Sequence, residues 1–453
     1  MAHDPSPQIT GKEDLVAWFE SGETPADQWR IGTEHEKLLF AQDTFRRPSY
    51  EGEKGIGALL SGLAESHHWT PILEGDVIIG LKDSHGGSIT LEPGGQFELS
   101  GAPLENLHQT CQETNRHLKD MRKATNTLGL GMLGVGFDPV WRREDIPWMP
   151  KGRYAIMRRH MPKVGSLGLD MMQRTTTIQV NLDYASERDM ARKFRVSLAL
   201  QPLATALFAN SPFREGRPTG LLSTRAEAWT DTDPARCGIP ACVFDAGFGY
   251  EQWVDYLLDV PMYFLHRGDS YVDVAGHSFR DFMSGRLPGH EGEFPTMADW
   301  EDHVTTAFPE VRLKQYLEMR GADGGPWNMI CALPALWTGL LYDADALDAA
   351  EELAGGLEAV DVAAARMSVA RHGLKGRLGK RDVGEMARSM VDIARQGLHR
   401  RRITDSAGND ETGFLDPIHA IAQSGTTRAE AMLELFHGKW GEEMTRIYPE
   451  FQF

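Results

Sequence analysis

The chain has 453 residues, with 47 Lys and Arg against 65 Asp and Glu, a formal net charge of −18, and a composition that is 41% hydrophobic and 25% charged. A soluble chain of this makeup buries a large core without needing disulfides or structural metals. Its acidity argues against nonspecific nucleic-acid binding, which requires clustered Lys and Arg, while leaving room for a local cationic pocket.

In chain order, the opening MAHDPSPQITGKED has no basic start followed by an apolar stretch, so no secretory signal is expected. Residues 30–40 alternate with a period of two, which puts Glu34 and Glu36 on one face of a predicted strand and Thr33 and His35 on the other. Residues 88–100 read as a hairpin turned at Pro93-Gly94-Gly95, with Thr90 and Glu92 sharing a face before the turn and Gln96 and Glu98 after it. From Leu104 to Leu128, apolar side chains recur at helical spacing, and Gly129 supplies the stop. Residues 129–134 match GxGxxG, but a helix precedes and a strand follows, the reverse of a dinucleotide-binding context.

Residues 174–184 alternate Thr175, Thr177, Gln179 and Asn181 against Thr176, Ile178, Val180 and Leu182. A second long helix is predicted over 188–209, and several helices over 343–400. The apolar passages 198–213 and 330–342 contain Pro202 and Pro334 and fall short of the roughly 18 residues of a spanning helix, so no membrane segment is expected. Three segments with a polar stripe backed by an apolar one imply an α+β fold, an antiparallel sheet packed by helices on its far side.

If the polar stripes line one cavity, they bring Glu34, Glu36, Glu92 and Glu98 together, and four carboxylates in one place need cations. Oxygen donors without a Cys or His cluster favour Mg2+ or Mn2+ over zinc. The alternative is a set of solvated Glu on an open sheet face. A cationic group, Lys151, Arg153, Arg158, Arg159, Lys163, Arg174, Arg225 and Arg320, suits carboxylate or phosphate, although each singly also fits a surface ion pair. No P-loop, GxSxG or HExxH occurs, and His67-His68 has no partner at metal spacing. Asp231-Thr-Asp233 begins like a calcium loop, but Arg236 and Cys242 stand where Gly and Glu are needed, so it reads as a turn. The four cysteines, at 111, 237, 242 and 331, form no CxxC pair and suit a reducing, cytoplasmic setting.

Longer words then stand out: GTEHEK at 32–37, LEPGGQFELSGAPL at 91–104, MPKGRY at 149–154, MPKVGSLGLDMM at 161–172, QVNLD at 179–183, WTDTDP at 229–234, LDVPMYF at 258–264 and FPEVRLKQYLEMRGADGGPW at 308–327. Together they resemble the plant and proteobacterial class of glutamate-cysteine ligase, from about residue 10 to the end. The resemblance implies a curved, mainly antiparallel sheet cupping the site with helices outside, similar to the catalytic fold of glutamine synthetase. It also implies one catalytic domain over 1–453 with a helical C-terminal portion from about 343. The implied reaction joins the γ-carboxylate of L-glutamate to the amine of L-cysteine through γ-glutamyl phosphate, with ATP as co-substrate and Mg2+ (or Mn2+), and opens glutathione biosynthesis.

By the same resemblance, Glu34, Glu36, Glu92, Glu98, Gln179 and Glu318 match metal positions. Arg153, Arg225 and Tyr263, with Met172 and Thr177, match substrate-binding positions. Arg320 matches the ATP-binding position, and Arg320 and Arg225 are the catalytic cations. The implied partners are the small-molecule substrates, with no nucleic acid or membrane, and a monomer or homodimer. A ligase with another acceptor amine, a glycosidase using two of the carboxylates, and a non-catalytic amino-acid sensor are the alternatives. Some plant members carry two disulfide pairs. The positions matching one pair are Val274 and Gly289, and those matching the other hold Cys111 and Cys331. Both of these cysteines also fit apolar faces, and four free thiols are expected.

Overall fold

Strand β1 (Ile31–Ala41) lies in the middle of the molecule's main sheet, and its period-two sequence gives it two usable faces. The structure, a computed structural model, describes residues 6–268 and 270–453. The next strands in the chain are β2 (Thr70–Glu74), β3 (Val77–Lys82), β4 (Ser88–Leu91), β5 (Gln96–Ser100), β6 (Leu130–Leu133) and β7 (Thr177–Leu182). Outside the main sheet, β8 (Phe213–Arg214) and β9 (Arg217–Pro218) form a small hairpin, and β10 (Cys237–Gly238) pairs in parallel with β13 (Phe308–Pro309). Strands β11 (Phe264–Arg267) and β12 (Ser270–Asp273) form another hairpin. The last strands of the main sheet are β14 (Val311–Leu313) and β15 (Leu317–Asp323).

The order across the sheet is β14-β15-β7-β1-β5-β4-β3-β2, with β6 also on β1. Every neighbouring pair is antiparallel. The three segments singled out by alternation are therefore contiguous, as β7-β1-β5-β4. The GxGxxG segment is a helix stop, with Gly129 at φ +70°, followed by β6.

The apolar side of β7, β14 and β15 presents Ile178, Val180, Leu182, Val311, Leu313, Leu317 and Met319, all buried, to helices Glu187–Leu207 and Trp327–Leu341, behind which helix Val383–Arg401 packs. Each such side chain contributes about 1.5–3 kcal/mol of burial, enough to fix which face of the sheet remains for the polar stripe. Pro202 and Pro334 lie inside two of these helices rather than ending them. A second apolar cluster joins Ile89, Leu91, Phe97 and Leu99 to helix Ile56–His67 and to Met149, Tyr154 and Met172.

The predicted helix near 104–128 is Leu107–Thr127, capped by the Asn106 side chain, which accepts from the Gln109 N–H at 3.0 Å. It packs on Trp327–Leu341, and between them the expectation of four free thiols is corrected. Cys111 and Cys331 are joined in a disulfide with Cα atoms 5.6 Å apart, leaving Cys237 and Cys242 free. Both cysteines do sit on apolar faces, but each face is the other's packing partner, which sequence spacing does not reveal.

Candidate active site

The polar stripes meet as cross-strand neighbours. Glu36 on β1 stands directly opposite Glu98 on β5, which stands opposite Thr90 on β4. Glu34 pairs with Gln179 on β7, and Asn181 pairs with Glu318 on β15, which faces Arg312 on β14. Together with Glu92 at the Pro93-Gly94-Gly95 turn, these side chains, Asn181 excepted, floor a cavity of about 370 Å³. Like charges placed directly opposite are unfavourable unless something compensates them.

Glu34, Glu36 and Glu98 feel that repulsion. Burial, then Glu318 and Glu98, push the Glu34 carboxyl up to about 7, although the Asn181 amide donates to it at 2.7 Å. Burial, then Glu98 and Glu92, raise Glu36 well above the usual carboxylate range. Burial and Glu92 raise Glu98, despite a 2.8 Å hydrogen bond from the Thr90 hydroxyl. Among the described residues, no three His, Cys, Asp or Glu side chains already form a ready-made metal cage. A hard ion such as Mg2+ is ordinarily held by one or two carboxylates together with water and substrate phosphate, and a mutually repelling, all-oxygen cluster is the donor set that fits it.

Glu318 is different. Its two oxygens accept from Arg312 Nε at 2.6 Å and Arg312 Nη2 at 3.0 Å, and Arg320 Nη1 lies 3.2 Å away. Against burial, Arg312, Lys314 and Arg320 hold it well below the usual range. Arg320 also donates to Gln179 Oε1 at 2.7 Å, and Gln179 Nε2 donates to Glu34 at 3.2 Å, so one chain of contacts links the cations to the acids.

Arg225 is almost fully buried. Its Nη2 donates to the Arg320 carbonyl at 2.6 Å, while its Nε has no partner among the described residues. Asp323 fixes its backbone through Ser211: the Ser211 hydroxyl donates to Asp323 at 2.6 Å and accepts from the Arg225 N–H at 3.2 Å. Arg153 lines the same cavity and, among the described residues, has no carboxylate within ion-pair distance. Met172, Thr177 and Tyr263 line it as well, with the Thr177 hydroxyl donating to the Ala322 carbonyl at 2.7 Å.

Other sequence candidates lie elsewhere. Lys151 is buried and donates to the Leu91 carbonyl at 2.8 Å, Arg158 stacks on Trp148, Arg159 pairs with Asp273 at 2.8 Å, and Arg174 pairs with Asp170 at 2.9 Å. Lys163 is exposed on helix Gly152–Val164. Arg312, Lys314 and Tyr316 line the cavity and were missed from the sequence. The alternation of 311–316, Val-Arg-Leu-Lys-Gln-Tyr, carried the signal.

Residues 30–450 match the family model described as Glutamate-cysteine ligase family 2 (GCS2). The chain is 54% identical over 442 residues to the chloroplastic glutamate–cysteine ligase of Nicotiana tabacum, covering 98% of this chain and 83% of that one. It is 53% identical to the chloroplastic enzyme of Arabidopsis thaliana, with coverage of 98% and 83%, and 53% identical to chloroplastic ligase B of Oryza sativa subsp. japonica, with 98% and 87%. In three dimensions it is similar to a crystal structure of a glutamate–cysteine ligase from Francisella tularensis in complex with AMP. The TM-score is 0.54 at 12% identity, covering 93% of this chain and 89% of that one, which bears on the fold: mixed helix and antiparallel sheet, not closed into a barrel. These plant relatives are named chloroplastic, which contradicts the expectation of a cytoplasmic protein. Sparse cysteines do not say which compartment a protein occupies.

Proposed function

The chain belongs to glutamate-cysteine ligase family 2, and from that premise we infer how its cavity performs the family's reaction. The protein is an ATP-dependent ligase that joins L-glutamate to L-cysteine, giving γ-glutamylcysteine, the first step of glutathione biosynthesis. The observation that carries the assignment to this cavity is the meeting there of Glu34, Glu36, Glu92, Glu98 and Arg320 from the sheet and its hairpin with Arg153 and Arg225 from helices Gly152–Val164 and Thr224–Ala228. Among the described residues, none lining the cavity comes from beyond Arg320, so we take the chain as one catalytic domain whose helical C-terminal portion serves as support.

We assign Glu34, Glu36, Glu92, Glu98 and Gln179 to divalent cations, Mg2+ or Mn2+. Such a cation, when bound, neutralises charge on phosphoryl oxygens. Glu318 is engaged by Arg312 on both oxygens, so we assign it to holding Arg312, Lys314 and Arg320 in line for the phosphates of ATP rather than to a metal. Arg153 and Arg225 take the carboxylates of glutamate, and Met172, Thr177 and Tyr263 complete the amino-acid side.

A γ-carboxylate oxygen then attacks the γ-phosphorus, the bond to ADP breaks, and γ-glutamyl phosphate forms. The cysteine amine attacks the acyl carbon, phosphate departs, and the nitrogen loses its extra proton. The chain does no covalent work. It binds, orients and neutralises, which is where catalysis of phosphoryl transfer resides. A phosphate-release assay with glutamate and ATP, run without amine, with cysteine and with other amino acids, tests the reading. Sustained release should require cysteine. Equal release with other amines would give the alternative acceptor, and no release with any amine would reduce the protein to a binder.

A further inference from the structure

We propose that Asp233 is a positioning residue for the reaction: it takes the single proton of the Tyr263 hydroxyl, so that the phenol oxygen meets a bound substrate as a hydrogen-bond acceptor for an amino group. The proposal rests on the reading above that Tyr263 faces the amino-acid substrates.

The sequence pattern around Asp233 reads as a turn, yet its side chain is buried, as are Tyr263 and Arg236. Asp233 Oδ2 accepts from Arg236 Nε at 2.6 Å and from the Tyr263 hydroxyl at 3.3 Å, and Oδ1 accepts from the Ala235 N–H at 3.1 Å. His160 Nε2 lies 3.8 Å from the same carboxylate, and its ring stacks edge-on to Tyr263. Arg236 clamps the group from the other side. Its guanidinium sits 3.7 Å from the Tyr263 ring centroid and donates to the Pro261 carbonyl at 2.7 Å and the Thr306 carbonyl at 3.1 Å. Burial raises the Asp233 carboxyl, but His160 and Arg236 outweigh it and hold the group down to about 2.

An ionised carboxylate only accepts hydrogen bonds, so the phenol must donate to it. The other neighbour of the hydroxyl, Met161 Sδ at 3.6 Å, is a weak acceptor and does not compete. With its one proton committed, the Tyr263 oxygen has only lone pairs left for a ligand in the cavity. A substrate carboxylate would be repelled there, whereas an amino group is matched. Both amino-acid substrates carry one, while Arg153 and Arg225 serve the carboxylates.

The test is steady-state kinetics of Asp233→Ala, Tyr263→Phe and the double variant, with folding checked by thermal melts. Each single variant should raise KM for one amino acid roughly 10- to 100-fold, the range of a lost charge-assisted hydrogen bond, with KM for ATP within about threefold. The double variant should be no worse than Tyr263→Phe alone, within about twofold. An effect on glutamate identifies its amino group as the one bound, and an effect on cysteine identifies that of the acceptor. Additive losses, or an Asp233→Ala enzyme with unchanged KM values, would overturn the proposal. Unchanged KM values in Tyr263→Phe would instead remove Tyr263 from the site, and the proposal with it.

Because Asp233→Ala leaves Arg236 buried without its partner and can fail to fold, inhibition of wild type and Tyr263→Phe by glutarate and by 3-mercaptopropionate gives an independent reading. These probes are the two substrates without their amino groups. Tyr263→Phe should weaken the amino acid and leave the Ki of its amine-free analogue unchanged. Equal weakening of both would show that Tyr263 does not act through an amino group.

Discussion

Glu34, half-buried in the cavity floor, shows what the clustered acids do to the protein. Its carboxyl stands at about 7 against an ordinary 4.5, so the folded state holds the proton more tightly than the unfolded one. The stability this contributes is complete below about pH 4.5 and is lost as pH rises through about 7, by up to ~3 kcal/mol. In chelator, the melting temperature should therefore fall between pH 5 and pH 8, Mg2+ should restore it, and Glu34→Gln should flatten the dependence. A Glu34→Gln slope equal to wild type would contradict this. Glu36 and Glu98, opposite each other across β1 and β5, should each cost several hundredfold in turnover as Gln, about the worth of one preorganised electrostatic element. Near-normal turnover in a folded Gln variant would take that residue out of the site. Arg153→Ala and Arg225→Ala should raise KM for glutamate tenfold or more and leave KM for ATP within about threefold, because a lost carboxylate grip is lost substrate binding. Parallel effects on both substrates would show that these cations serve the nucleotide.

At the scale of elements, the disulfide ties helix Leu107–Thr127 to helix Trp327–Leu341 across 220 residues. In the chain-entropy model a loop that long is worth at most about 5 kcal/mol, with measured values usually lower. Protein unfolded without reductant should titrate two thiols, and reduction or Cys111→Ser should lower the melting temperature by several degrees. Four thiols, or no change on reduction, would contradict the pairing. Strands β1, β4, β5 and β7 were legible because each carries a stretch of polar and apolar alternation and the Pro93-Gly94-Gly95 turn marks the hairpin. Strand β15 was not, because a register shift between Met319 and Ala322 breaks its alternation, so Glu318 was reached only through resemblance and Arg320 stood out only as one of several cations. Arg312 and Lys314 were legible in principle, but β14 has only three residues, too few for a period to stand out. Asp233 looks like a turn residue until its partner Tyr263, 30 positions away, is brought beside it.

For the whole molecule, a chain of net charge −18 works on anionic substrates by concentrating its cations where they are needed. Arg312 and Arg320 on the sheet, Lys314 beside β14, and Arg153 and Arg225 on helices Gly152–Val164 and Thr224–Ala228 face the same cavity as the acid cluster, so the fold brings both sets to one place. The sign of the cavity is thus set by topology, which composition cannot show, while the apolar faces behind the sheet were evident from alternation alone. The compartment was illegible for a related reason: redox chemistry constrains cysteine use, but an address is not written into a catalytic fold. The central claim is that the γ-carboxylate of glutamate becomes an acyl phosphate in this cavity, and glutamate carrying 18O in that carboxylate tests it most directly. With ATP, Mg2+ and cysteine, mass spectrometry should find one 18O atom in each phosphate released, and phosphate free of 18O would contradict the account.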